Sequence, residues 1–150
     1  MTVWKPSATV AAVIERDGKF LLVEEISDGR HVLNQPAGHL DPGESLMAAC
    51  VRETLEETAY AFEPTSLVGI YRWHYAPADN TFLRFAFAGA IGRVDAARTL
   101  DTEIVATHWL SREELAARPE LHRSPLVMQC VDDYLAGRRY PLDVFSKEFA

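Results

Sequence analysis

Between Gly38 and Tyr60 the chain reads GHLDPGESLMAACVRETLEETAY, and no other stretch constrains the fold as strongly. Pro42-Gly43 makes a turn, and the residues that follow contain no helix breaker. On a helix at about 100° per residue, Ser45 to Thr58 separates into two arcs. Met47, Ala48, Val51 and Leu55 share one arc, the expected buried stripe of an amphipathic helix. Arg52, Glu53, Glu56 and Glu57 share the other, with Ala49 among them. The acidic arc is unfavourable by itself. Glu53 repels like charges at i+3 and i+4, and Glu56 and Glu57 occupy the last turn, where the helix dipole disfavours them. A solvated acidic face with Arg52 offsetting Glu56 is one explanation. A divalent cation holding the carboxylates is the other, since magnesium takes oxygen ligands, commonly carboxylates together with substrate phosphates.

The spacing separates these readings. Gly38, five residues, Glu44, seven residues and then Arg52-Glu53-Thr54-Leu55-Glu56-Glu57 resembles the signature box of the Nudix hydrolases. Ala59 departs from the pattern, which usually has glycine there. A left-handed alanine costs about 1 kcal/mol or more, so a helix exit unlike the family's is one expectation.

The resemblance implies an α+β chain with the Nudix fold, an α/β/α sandwich with a mixed β-sheet between helices. It also implies magnesium, with manganese as the alternative ion. Hydrolysis of a phosphoanhydride is mainly positioning and charge neutralisation, which metal ions and a carboxylate base can supply. Carried over by resemblance, Glu56 and Glu57 are the leading metal ligands and the Gly38 carbonyl a further one. Glu53 is the general base or an additional ligand. Arg52 holds the carboxylates by charge-assisted bonds, and Glu44 orients that network. Many family members use another acid outside the box. Asp101 and Glu103 are the candidates, with Glu103 placed in the ligand set; the alternative is that both are ordinary loop acids.

The rest of the chain supports one domain over residues 1–150. Asp17-Gly18 separates the apolar runs Ala8–Ile14 and Phe20–Val23, a hairpin signal. Ser27-Asp28-Gly29 turns the chain towards Val32-Leu33. Leu67–Tyr75 and Thr81–Ile91 read as strands across a turn at Pro77–Asn80, and Ile104–Leu110 as another. In Thr81–Ile91, Leu83, Phe85 and Phe87 alternate with Phe82, Arg84 and Ala86. Ser111 and Glu114 form a capping box, and a further helix runs from Pro125 to Gly137.

A net charge of −7 argues against a nucleic-acid polymer as partner, but not against a small phosphorylated substrate once a metal is loaded. No signal peptide or membrane span is evident, and the two cysteines, Cys50 and Cys130, suit a reducing cytoplasm. Candidate substrate contacts are Gln35 and His39 at the box entry, with Trp73 and Arg84 beyond it. Arg84 either grips a phosphate or packs its stem on the sheet as a surface arginine. Trp73 and Tyr75 either stack a ring or belong to the core.

Asn34-Gln35-Pro36-Ala37-Gly38-His39, Phe82-Leu83-Arg84-Phe85, Arg123-Ser124-Pro125-Leu126-Val127 and Gly137-Arg138-Arg139-Tyr140-Pro141-Leu142 resemble one bacterial phosphatase branch of the Nudix family. That likeness implies a monomer releasing orthophosphate from nucleoside tri- and diphosphates and from hydroxymethylpyrimidine pyrophosphate. The alternatives are a pyrophosphatase acting on a nucleotide sugar or dinucleotide, and a non-catalytic nucleotide-sensing module. The intact glutamates argue against the sensor.

Overall fold

The computed structural model of the chain describes residues 2–148. Its elements are, in order, β1 (Ser7–Val13), β2 (Glu15–Arg16), β3 (Lys19–Ser27), β4 (Arg30–Asn34), β5 (Ala37–His39), α1 (Leu46–Thr58), β6 (Tyr60–Tyr75), β7 (Asn80–Val94), β8 (Ile104–Ser111), α2 (Arg112–Ala116) and α3 (Leu126–Leu135). One sheet has the order β5-β1-β7-β6 and is mixed, because β1 runs parallel to β7 while its other pairs are antiparallel. In the second sheet β3 pairs antiparallel with β2, β4 and β8.

β1 is buried on both faces, which explains its unbroken apolar sequence. Val10, Ala12 and Ile14 face a cluster with Leu46, Ala49 and Cys50 of α1 and with Phe87. Ala11 and Val13 face the opposite cluster, with Leu126, Val127, Cys130 and Val131 of α3 and Leu115 of α2. Helices therefore cover both faces of the mixed sheet, the expected α/β/α sandwich. Both cysteines are buried and unpaired, as core residues.

The Asp17-Gly18 turn forms as expected, with φ of 53° and 79°. It joins Ala8–Ile14 to Phe20–Val23 only at their ends, however, where the Leu21 N–H donates to the Ile14 carbonyl at 2.9 Å. Only the two residues of β2 pair with β3, while β1 crosses to the other sheet. A strand buried on both faces is better satisfied between β5 and β7 than in a hairpin.

The buried face of α1 also differs from the expectation. Leu46, Ala49, Cys50, Thr54, Glu57 and Thr58 are buried, whereas Ala48 is exposed and Met47, Val51 and Leu55 are half-buried. The packed stripe keeps helical spacing but is rotated towards the acidic arc. Small side chains let the helix sit close to the sheet, and the buried hydroxyls are satisfied within the helix. Thr54 donates to the Cys50 carbonyl at 2.7 Å and Thr58 to the Thr54 carbonyl at 2.6 Å. The helix thus turns its carboxylates inward.

Ala59 keeps the left-handed exit, with φ 63° and ψ 9°. Its N–H donates to the Leu55 carbonyl at 2.9 Å, and its own carbonyl accepts from the Asp95 N–H at 2.8 Å. Burial of its methyl and these two bonds offset the about 1–2 kcal/mol that this conformation costs an L-residue. The long β6–β7 hairpin turns through Ala76–Ala78 with Asp79 at φ 47°. The Ser111–Glu114 capping box is present in both directions, and Gly137 follows α3 at φ 85°.

Candidate active site

Ser45 starts α1, its side chain accepting from the Ala48 N–H at 3.1 Å. One helical turn and more onward, Arg52 gathers the acids. Its Nε and Nη2 donate to the two oxygens of Glu44 at 2.7 and 3.0 Å, a bidentate grip. Nη1 donates to Glu53 at 2.8 Å and to Glu56 at 3.3 Å, and Nη2 also reaches the His39 carbonyl at 3.0 Å. Glu44 in turn accepts from the Asp41 N–H at 3.1 Å, closing the loop that leads into the helix. These partners hold the Glu44 carboxyl below its usual range, the Arg52 bond first among them.

Glu53 lies directly against Gly38. A Cβ built at Gly38 would fall inside the Glu53 carboxyl group, so glycine there is a condition for this packing. Glu53, Glu56 and Asp101 bring carboxylate oxygens within 4.8 Å of one another, the candidate metal cluster among the described residues. Asp101 arrives because its N–H donates to the Glu56 carbonyl at 3.1 Å, docking the loop before β8 onto the end of α1. Glu103 lines the same cleft but stands outside that cluster. Glu57 lies deeper, 7% exposed, and accepts from the Ala37 N–H at 2.9 Å.

Burial raises the Glu53 carboxyl above its ordinary value, against the pull of Arg52. Burial also pushes the Glu57 carboxyl up to about 9, with the charges of Glu25, Glu53 and Asp101 adding to it. Arg52 bonds neither Glu57 nor Asp101. Hard oxygen donors short of positive charge are the donor set that a divalent cation fits.

This has a consequence for stability. Folded, Glu57 keeps its proton up to about pH 9; unfolded, it loses it near 4.5. Its contribution is fully present below the unfolded value and is lost as pH rises towards the folded one, and Glu53 shifts in the same direction. Urea unfolding in EDTA should therefore show stability falling between roughly pH 5 and pH 9, with magnesium restoring part of it at the alkaline end. A metal-free profile that rises with pH over that range would contradict the assignment.

Glu53, Glu57, Asp101 and Glu103 line a cleft of about 490 Å³. His39, Trp73, Phe82 and Arg84 line it, and Trp73 stacks on Phe82 at 5.6 Å and 18°. Arg84 is 6% exposed, which excludes the surface-arginine reading. Gln35 does not line the cleft. It is 2% exposed and fully used, donating to the Val127 carbonyl at 2.8 Å and accepting from Arg84 at 2.9 Å. It is a strut between α3 and Arg84 rather than a substrate contact. Two cleft residues were missed by sequence reasoning. Asn34 lines the cleft and accepts from Arg84 at 2.9 Å, and Glu25 accepts from Arg123 at 2.6 Å. Glu25 has only one sequence signal, its position in an acidic pair; a bulge between Glu24 and Glu25 in the β3–β8 pairing goes with its inward turn.

The NUDIX domain profile matches residues 4–129, covering both the box and the cleft. The chain belongs to the Nudix family. It is similar to phosphatase NudJ of Escherichia coli K12, 40% identical over 143 residues that span 95% of this chain and 92% of that one. A Nudix hydrolase from Nitrosomonas europaea superposes with a TM-score of 0.93 at 56% identity, covering 95% of this chain and 97% of its own. A UDP-X diphosphatase shares the fold, with a TM-score of 0.73 at 18% identity over 94% of this chain and 68% of its own. The chain is thus a Nudix hydrolase acting on phosphoanhydrides, similar to phosphatase NudJ. Nudix hydrolases generally use a divalent metal, and the chain has an acidic cluster of the kind that could hold one.

Proposed function

We propose that this Nudix hydrolase uses magnesium to release orthophosphate from nucleoside tri- and diphosphates and from hydroxymethylpyrimidine pyrophosphate. The observation that supports the hydrolytic reading is the inward turn of the acidic face of α1, which gathers Glu53, Glu56 and Asp101 in one cluster and puts Glu53 and Glu57 on the wall of the cleft. The likeness to phosphatase NudJ over almost the whole of both chains supports the choice of product.

Glu53, Glu56, Glu57 and Asp101 would hold the ion, with the Gly38 carbonyl and Glu103 as further oxygens beside them. Magnesium bound there would supply charge neutralisation on the phosphate oxygens and a lowered pKa for a coordinated water. Glu53 would take a proton from the attacking water; its carboxyl, raised by burial and held between Arg52 and Gly38, supports that role. Arg52 and Glu44 keep it in position. His39 and Trp73 bound the substrate side of the cleft, with Trp73 offering a ring face.

A magnesium-supplemented panel of nucleoside di- and triphosphates, nucleotide sugars, dinucleotides and the pyrimidine pyrophosphate tests this reading. Orthophosphate as the first product from the di- and triphosphates is the expected result. A nucleoside monophosphate with a sugar phosphate, and no orthophosphate, would replace it with a pyrophosphatase.

A further inference from the structure

Arg84 is a buried cation without a counter-charge. It projects from β7 beside Thr9 of β1 and opposite Tyr71 of β6, 6% exposed. Its bonded partners are all neutral. Nη2 donates to Asn34 Oδ1 at 2.9 Å, and Nη1 donates to Gln35 Oε1 at 2.9 Å and reaches Cys130 Sγ at 3.8 Å. Among the described residues no carboxylate forms an ion pair with it. The other arginine of the cleft, Arg123, is already bonded to Glu25. A guanidinium removed from water without a carboxylate is unfavourable unless something anionic completes it.

The surroundings of Arg84 say what that something is. Asn34 turns its oxygen to Arg84, leaving its Nδ2 with no protein acceptor among the described residues, and Arg84 Nε has none either. No enclosed side-chain nitrogen of the described residues lacks a partner, so both of these keep an opening to the cleft they line. At Arg84 and Asn34 the wall therefore presents unpaired donors and a positive charge. Gln35 fixes the guanidinium to α3 through the Val127 carbonyl, so the fork is held in place rather than free to swing.

We propose, resting on the phosphohydrolase reading above, that Arg84 and Asn34 Nδ2 form a subsite for a second phosphoryl group of the substrate. It is separate from the carboxylate cluster and binds without the divalent ion. The attacked phosphoryl group is held at the acids of α1, and its neighbour in the polyphosphate chain at Arg84. The substrate class is then the linear di- and triphosphates, with orthophosphate monoesters bound weakly.

The test uses the full chain in EDTA titrated with inorganic pyrophosphate, followed by the NMR signal of the Arg84 Nε–H. Saturable movement of that signal is expected. Asn34→Asp is the decisive variant, because it places a carboxylate on Nη2 in the same shape and gives Arg84 an internal counter-charge. The variant should resist urea at least as well as the parent. It should bind pyrophosphate about 10- to 100-fold more weakly and raise KM for a nucleoside diphosphate by a similar factor, more than it lowers kcat. Arg84→Lys should recover part of what Arg84→Gln loses, since it keeps the charge without the fork. An unmoved Arg84 signal, or Asn34→Asp with unchanged pyrophosphate affinity and unchanged KM, overturns the subsite. If no phosphoanhydride is hydrolysed yet pyrophosphate still moves the Arg84 signal, the hydrolase reading falls and the subsite stands.

Discussion

Glu57→Gln is expected to lower magnesium-dependent turnover on the order of 10³-fold while leaving the fold intact. The amide has the same shape, and its oxygen can still accept from the Ala37 N–H. What it removes is the negative charge that a divalent ion needs. The same exchange removes a carboxyl that burial already holds protonated at neutral pH, so the metal-free variant should be no less stable than the parent at pH 8. Orthophosphate release and urea unfolding in EDTA, measured on one preparation, separate the two effects. Unchanged turnover would remove Glu57 from the metal site; lost turnover with lost stability would make it a structural residue.

Gly38→Ala should be nearly as damaging for a different reason. The new Cβ occupies the position of the Glu53 carboxyl, and neither side yields easily. The backbone of β5 is paired to β1, with Gly38 opposite Val10, and the neighbouring Ala37 N–H is bonded to Glu57. Glu53 is bonded to Arg52 at 2.8 Å. The carboxylate is the part that can move, and a displacement of about 1 Å at a reacting group costs roughly 10²-fold in rate. Overpacking adds about 1–3 kcal/mol of destabilisation. Gly43→Ala is the matched control. Gly43 has φ 77° with nothing near its missing Cβ, so the variant should cost about 1 kcal/mol of stability and keep its turnover. Equal kinetic losses in the two variants would refute the steric account of Gly38.

The box was readable because charge and spacing carry it. Arg52 is joined to Glu44, Glu53 and Glu56, and Glu53 lies against Gly38. The orientation of α1 was not readable from hydrophobicity. Thr54, Glu57 and Thr58 occupy its buried stripe, because hydroxyls can be satisfied inside a helix and because the acids face a cleft rather than a core. Asp101 was visible only as one of two loop acids. Its choice over Glu103 for the cluster depends on a backbone bond to Glu56 that no sequence pattern encodes. Asn34 and Gln35 are adjacent on the chain and chemically alike. Which of them faces the cleft is decided by α3, some ninety residues further on, through the Val127 carbonyl. Long-range partners of this kind are where a local reading stops.

On the proposal above, the carboxylates of α1 take a divalent cation. Titration calorimetry with manganese at pH 7.5, repeated in two buffers of different ionisation enthalpy, measures it most directly. Because Glu57 is protonated at that pH in the metal-free chain, ion binding should release about one proton, and Glu57→Gln should bind more weakly and release less. Binding with no proton release, or binding that Glu57→Gln leaves unchanged, would contradict the account.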